Sequence, residues 1–392
     1  MMSTEKQSLK ITVVGGGVIG LSVAWELSKR GCSVQLLERQ TASSANLPDQ
    51  RCTSWTAGGI LPPANFERAT DPMERFRGYS HSQWPAWAAE LERASGISTG
   101  LVRCGGYYLA ETAGEAAAMI GMVDYWDEMG IECENISLAR LCDQQPQLKA
   151  WSASSTWGAT HPDSAAWWVP DEWQVRPPRL LHALHSGCQK NGVEFRYGED
   201  VDEQRLHSIQ GESDATVLCG GVRTGLIADS LSLGKSLVPI RGQMLLYRCD
   251  EFDNPIVINV GNRYLIARGD GMVLVGSCEE EVGMDQTTTD TAIESLRDFA
   301  VGVCPLLGDA PEVTRWAGLR PMTFDGFPII GPVPSSSPLC DHERLFVASG
   351  HYRSGIHFAP ATAIAIADKI QGRDGFMDMH PFSVGHQQEH SR

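Results

Sequence analysis

The sequence predicts an α/β fold in two parts: a parallel-sheet nucleotide-binding domain, discontinuous along the chain, and an antiparallel α+β domain inserted into it. Three observations predict this. A β-branched apolar run near the N-terminus ends in closely spaced glycines and continues as a helical repeat; residues 238–278 alternate in the manner of antiparallel strands; and beyond Arg315 a buried strand and a helix return. At 392 residues the chain exceeds what one hydrophobic core usually supports, so two domains are expected.

Taken in order, LKITVVG (residues 9–15) reads as a buried strand, and VIGLSVAWELSKRG as a helix closing at Gly31. SVQLLER (33–39) is a second buried strand with an acid at its end, which completes a βαβ unit of the usual ~30 residues. The stretch from Arg39 to Pro63 lacks periodicity and reads as a long loop. Amphipathic helices are expected over 82–97 and 114–130, flanking the strand-like GGYYLA. Residues 151–173 carry five of the 11 tryptophans and read as a lid or packing surface. A helix in PPRLLHALHSGCQKNG leads into VEFRYGEDV, and ATVLCGG is a strand returning to the nucleotide-binding sheet. VPIRGQMLLYR, NRYLIARGD and GMVLVGSC form the antiparallel part, followed by the strand LFVASG and a helix from Gly355 to Ile370. The expected division is therefore 1–85, 155–230 and 315–375 for nucleotide binding, 86–154 and 231–314 for substrate, and 376–392 as a tail.

GGGVIG places Gly15, Gly17 and Gly20 at the G-x-G-x-x-G spacing between a strand and a helix, the context that makes this motif specific for a Rossmann-type unit. Gly15 permits the turn, Gly17 lacks a Cβ to obstruct a pyrophosphate, and Gly20 lets helix and strand pack closely, so phosphates meet the helix N-terminus. Glu38, 18 residues beyond Gly20, can bond a ribose hydroxyl and would repel a 2′-phosphate. Other motifs fail. Gly234-Lys235-Ser236 would need a glycine where Asp229 stands, and no H-E-x-x-H occurs. Asn135-Ile136-Ser137 matters only in a secreted chain.

Composition narrows the function further. A net charge of -16 and 48 acidic residues argue against nucleic acid or an anionic membrane as partner. No run of 18 apolar residues occurs, the first ten residues lack an apolar signal core, and the terminal HSR is not a peroxisomal address, so a cytoplasmic protein is expected. Eleven scattered cysteines without a C-x-x-C pair predict reduced thiols and no metal site.

The fingerprint alone does not choose between NAD and FAD. TSWTAGGILPP (53–63), RGQML (241–245), QVRPPRLL (174–181), WAGLRPMTFDGFPIIGP and GHYRSGIHFAPATA together resemble the D-amino-acid-oxidase family of FAD oxidoreductases, and within it the glycine oxidases of thiamine biosynthesis. The resemblance implies an extended FAD contacted by Val18, Ile19, Glu38 and Arg39 at the ADP portion. It places Thr53, Ser54, Ala57, Gly58 and Gly59 around the ribityl chain and ring, and Val201 at the adenine. Gly350, His351, Tyr352, Arg353, Ser354, Gly355 and Ile356 then lead into a helix whose first amides face the flavin, where the helix N-terminus stabilises the anionic reduced ring. Covalently flavinylated relatives use a cysteine near 315–325. None lies between Cys304 and Cys340, so non-covalent FAD is expected.

By the same resemblance Arg320 clamps a substrate carboxylate, Tyr264 adds its phenol to it, and Arg353 lies nearby. A planar guanidinium fork is the best carboxylate partner. His351 supports the site from behind, since hydride transfer from a neutral amine needs no base. The implied reaction oxidises glycine or another small amino acid with molecular oxygen to an imine or 2-oxo acid, ammonia and hydrogen peroxide, the imine feeding thiazole synthesis. The alternative is a D-amino-acid or N-methyl-amino-acid dehydrogenase with another electron acceptor. The sequence leaves the oligomeric state open, a homo-oligomer included. Departures from the family touch the pocket edges: a longer loop between Arg39 and Arg51, Ser354 for the usual Asn, His357 and Phe358 for two leucines, and the Trp-rich insertion before Gln174.

Overall fold

The computed structural model describes residues 8–41, 52–227, 236–334, 337 and 344–385. Much of the extra loop length before Arg51, the Gly234-Lys235 pair and the end of the tail fall outside the described residues.

The apolar strand Lys10–Val14 sits at the centre of a six-stranded sheet, with Ser33–Glu38 on one side and Ala215–Leu218 on the other, both parallel to it. Glu194–Tyr197 extends one side, and Leu345–Ser349 followed by the antiparallel Ile329–Pro332 extends the other. Strand order reverses at Lys10–Val14, the point at which open α/β sheets hold ligands. One face is covered by the helices Val18–Lys29, Pro177–Lys190 and Gly355–Ile370. The last of these is mostly apolar and buried from Ile356 to Ala363, being enclosed by Val18–Lys29 and Pro72–Ser95. Its alanines at 359, 361, 363, 365 and 367 let the neighbours approach closely.

The first expected amphipathic helix begins earlier than 82. It spans Pro72–Ser95: the Asp71 carboxylate accepts from the amides of Met73 and Glu74, Pro72 takes the first helical position, and Gly96 closes the helix at φ 75°. Pro85 lies in its interior, where it resembles the first turn of a shorter helix. Phe76, Trp84, Trp87, Ala88 and Leu91 all join the core beside the parallel sheet, so the expected boundary at 85 cuts an element that packs as one. The second helix, Ala113–Met129, is set by a Thr112–Glu115 capping box and Gly130.

The second sheet has eight strands in the order Glu312–Thr323, Leu237–Arg248, Met272–Gly276, Arg263–Arg268, Pro255–Val260, Gly106–Leu109, Ala166–Val169, Glu134–Asn135. Every pair is antiparallel except Pro255–Val260 with Gly106–Leu109. Two of these strands were expected on the nucleotide side. Glu312–Thr323 instead pairs along Leu237–Arg248, and Ala166–Val169 pairs with Gly106–Leu109, where Trp167 is buried. The Trp-rich segment is accordingly a packing surface and not a lid: Trp151 and Trp167 are both interior. Helix Asp290–Val303 covers the far face, and the short strands Ile60–Leu61, Trp173–Gln174 and Val102–Arg103 form a third, three-stranded sheet. Among the described residues no disulfide joins the cysteines, no cluster of His, Cys, Asp and Glu could hold a metal, and no helix is long and apolar enough to cross a membrane.

Candidate active site

A cavity of about 800 Å³ runs from the glycine turn to the eight-stranded sheet. At the turn, Gly15 has φ 110° and donates its amide to the Leu37 carbonyl at 2.8 Å. A Cβ there would lie 2.6 Å from the Cys219 carbonyl oxygen, so glycine is required. A Cβ on Gly20 would stand 1.9 Å from the Gly15 oxygen; this residue serves helix–strand packing and does not line the cavity. Gly17 differs. It caps the helix at the cavity wall, and its added Cβ would meet only the Ser54 hydroxyl at 3.3 Å, leaving a cradle that backbone alone borders.

Glu38 closes that end: its Oε2 accepts the Gly16 amide at 2.6 Å and its Oε1 the Gln40 amide at 2.9 Å. Ser54 Oγ accepts the Val18 amide at 3.0 Å, which fastens the 53–59 loop to the helix N-terminus. The same loop is held from the other side. Thr53 donates to the Leu319 carbonyl at 2.7 Å, Trp316 to the Thr56 carbonyl at 3.1 Å, and Arg268 to the Gly58 carbonyl at 2.6 Å. Ile19, Val18, Ala57, Gly58, Gly59 and the buried Val201 all line the cavity, with Arg39 at its exposed rim. An open Gly17 cradle, a helix N-terminus and an acid beside it fit the diphosphate and ribose of FAD.

At the opposite end the chain makes a turn from Gly350, itself outside the lining at φ 79°, into the helix that starts at Gly355. His351, Tyr352, Arg353, Ser354, Gly355 and Ile356 all face the cavity. His351 is buried against Thr362 at 3.0 Å, and burial pushes its imidazole down to about 3, so the ring stays neutral. His357 also reaches the wall, with Nε2 3.3 Å from His81 Nδ1, and its ring too is held neutral by burial. Tyr352 adopts φ 48°, with its amide on the Pro321 carbonyl at 2.9 Å.

Cross-strand register builds the floor. Trp316, Met244, Gly276, Tyr264, Asn259 and Tyr108 are successive partners across six strands, and directly paired residues share a face. Two residues along, Gly318 pairs with Gly242, and Arg320 follows on the same face. The glycines let long side chains lie flat. A Cβ on Gly276 would be 2.6 Å from the Tyr264 ring, and one on Gly242 would be 2.2 Å from Arg320 Nη2. Arg320 donates to the Cys278 carbonyl at 3.1 Å and to Ser277 Oγ at 2.8 Å. Among the described residues no carboxylate pairs with it, so its charge faces the cavity uncompensated. Arg353, by contrast, is paired with Glu279 at 3.2 Å.

The structure thus brings Arg320 and Tyr264 to one floor and places Arg353 above it with its charge already matched. Sequence reasoning missed Met244, Asn259, Tyr108, Glu172, Ser277 and the loop-holding Arg268. For Asn259 a signal existed: Gly261-Asn262 is a two-residue hairpin loop, which puts Asn259 opposite Tyr264. Glu172 gave none. Its fully buried carboxyl accepts the Tyr108 phenol at 2.7 Å, and burial raises it to about 7.

Comparison with known proteins agrees with this geometry. The family described as FAD dependent oxidoreductase matches residues 10–369. A glycine oxidase of Pseudomonas aeruginosa is 32% identical, over 96% of this chain and 98% of its own, and one of Pseudomonas putida is 30% identical over the same shares. The crystal structure of glycine oxidase from Geobacillus kaustophilus superposes with a TM-score of 0.81 at 26% identity, covering 96% of this chain and 99% of that one. With the strand order, the glycine cradle and a match spanning both sheets, the chain belongs to the FAD-dependent oxidoreductase family and FAD is its cofactor.

Proposed function

We propose that this FAD-dependent amino-acid oxidase acts on glycine or a similarly small amino acid, with Arg320 as the group that fixes the substrate carboxylate. The observation that carries the reading is a guanidinium on the cavity floor held by a carbonyl and a hydroxyl and by no acid, beside the Tyr264 ring. Such a guanidinium keeps its full charge for an incoming carboxylate, and its fork orients that carboxylate by two parallel bonds. Tyr264 supplies a third donor from the neighbouring strand. Asn259 and Tyr108 extend the same floor and bound the space left for a side chain. Substrate orientation is therefore set by groups whose backbones are fixed on strands, with Arg320 and Tyr264 each lying over a glycine.

The two-sheet arrangement supports a FAD-binding part built on the six-stranded sheet and a substrate part built on the eight-stranded one. Gly15, Gly17, Val18, Ile19, Glu38 and Arg39 would hold the ADP portion, Thr53 to Gly59 and Gly350 to Ile356 the remainder, without a covalent link. When bound, FAD supplies the acceptor for a hydride and passes its electrons to oxygen, giving peroxide. The preference for glycine rests on the activity of the relatives, and a role in making the imine for thiamine thiazole rests on the resemblance to the thiamine-pathway oxidases. A cytoplasmic location goes with both.

The test is a panel of amino acids on the purified yellow protein, following flavin bleaching without oxygen and then peroxide with it. Glycine or another small amino acid should bleach the flavin and release stoichiometric peroxide on aeration. Bleaching without peroxide would replace the oxidase reading by a dehydrogenase, and no bleaching by any small amino acid would refute the substrate assignment.

A further inference from the structure

We propose that Glu279 limits the site to one carboxylate by neutralising Arg353. Like the carboxylate anchor itself, this rests on the proposed role of Arg320.

Four consecutive residues after the strand Met272–Gly276 receive three arginines, each differently. Ser277 and Cys278 hold Arg320 through a hydroxyl and a carbonyl, neither charged. Glu279 takes Arg353 at 3.2 Å and, on the same oxygen, the Tyr352 phenol at 2.8 Å. Glu280, joined by Asp285, takes Arg241 at 3.1 and 2.6 Å, and that guanidinium keeps the Glu280 carboxyl at about 2. Both Arg320 and Arg353 line the cavity. Of the two, Arg320 alone faces it without a carboxylate partner among the described residues.

Without Glu279 the cavity would present two guanidiniums and would suit a substrate with two anionic groups. With it, a second carboxylate arriving at Arg353 must displace one already there and meets that carboxylate's repulsion. The pair is half-exposed, so its strength is modest, but its sign is fixed. Tyr352 makes the arrangement specific: its left-handed backbone and the hydrogen bond its amide donates to the Pro321 carbonyl hold the turn so that phenol and guanidinium converge on one oxygen. The inferred substrate class is amino acids with a single carboxylate and a neutral or absent side chain, and acidic amino acids are disfavoured by Glu279.

The experiment compares acetate and malonate as ligands of the FAD-loaded protein, by perturbation of flavin absorbance at constant ionic strength. Glu279→Gln keeps the acceptor for Tyr352 and removes the charge. It should raise the malonate-to-acetate affinity ratio by about tenfold, the scale of one partly screened charge-assisted bond. Glu279→Gln combined with Arg353→Gln should return the ratio to the parent value. Arg353→Gln alone should lower the ratio by a similar factor, because Glu279 then meets the second carboxylate with its charge unmatched. An unchanged ratio in Glu279→Gln, a gain that survives in the double variant, or a rise in Arg353→Gln would each overturn the proposal. Acetate binding that is indifferent to Arg320→Ala would instead refute the anchor, whatever the ratio does.

Discussion

At the glycine turn the cavity is bordered mainly by backbone: Gly17 leaves open space at the helix N-terminus, the Gly15 amide is taken by the Leu37 carbonyl, and the nearby Glu38 side chain is fastened to Gly16. At the sheet floor it is bordered by side chains, with Arg320, Tyr264, Asn259 and Tyr108 laid across strands that come from three distant stretches of chain. The first end tolerates no added atom where a ligand must pass. The second depends on which residues stand opposite one another. A diphosphate needs many weak donors in a fixed arc, which a helix start provides; an amino acid needs a few strong groups at exact separations, which a sheet provides.

The largest expected effect tests the backbone end. Gly17→Val should fold normally, because its Cβ meets only a hydroxyl at 3.3 Å, yet purify without colour. Retention of full flavin absorbance would show that the cradle holds no phosphate. Gly20→Val should behave differently and fail to fold, with its Cβ 1.9 Å from a carbonyl oxygen. At the floor, Arg320→Ala should leave FAD bound and weaken glycine by about 3 kcal/mol, roughly 100-fold, the scale of one to two hydrogen bonds to a charged group. Anaerobic reduction by glycine in a stopped-flow instrument would read it, and Arg320→Lys should recover only part. A smaller effect is expected from Gly242→Ala, whose methyl group displaces the Arg320 guanidinium: about tenfold weaker glycine with unaltered flavin content. Equal losses of flavin and glycine affinity in that variant would mean the two ends are not independent.

The smallest effect concerns stability. Burial raises the Glu172 carboxyl from 4.5 to about 7, so the folded state binds more protons than the unfolded one between those values. Its contribution is therefore present below about pH 4.5 and is lost as pH rises through about 7. His351, lowered from 6.5 to about 3, acts with the opposite sign over an overlapping window, so only a difference isolates Glu172. Glu172→Gln should gain on the parent by a few kcal/mol between pH 4.5 and 7 in urea melts. A constant difference across that range would count against the raised value.

The same contrast explains what could be read in the sequence. The glycine turn, Glu38 and the central strand follow from spacing inside one βαβ unit, and there the expected elements agree with the structure within a residue or two. Arg320 and Tyr264 came from resemblance, and no local pattern near either reveals that Gly242 and Gly276 lie beneath them. The pairing of Arg353 with Glu279 joins residues 74 positions apart and leaves no trace in either neighbourhood. The helix start at Asp71 was legible in an Asp-Pro pair and was masked by Pro85. Strand membership for Ala166–Val169 was not, since four apolar residues satisfy either sheet equally.

The parallel sheet gathers its strands from residues 10–38, 194–218 and 345–349, and its covering helix ends at Ile370. During synthesis the glycine turn therefore emerges long before the strand beside Ala215–Leu218 and the helix wedged against Val18–Lys29. Loop closure across more than three hundred residues delays the nucleotide half while the eight-stranded sheet, nearer in sequence to itself, can assemble first. A ribosome-bound chain stopped before Leu345 should then hold a protease-resistant antiparallel domain and take up no flavin, which would make yellow colour a report that this late strand and helix have joined the sheet.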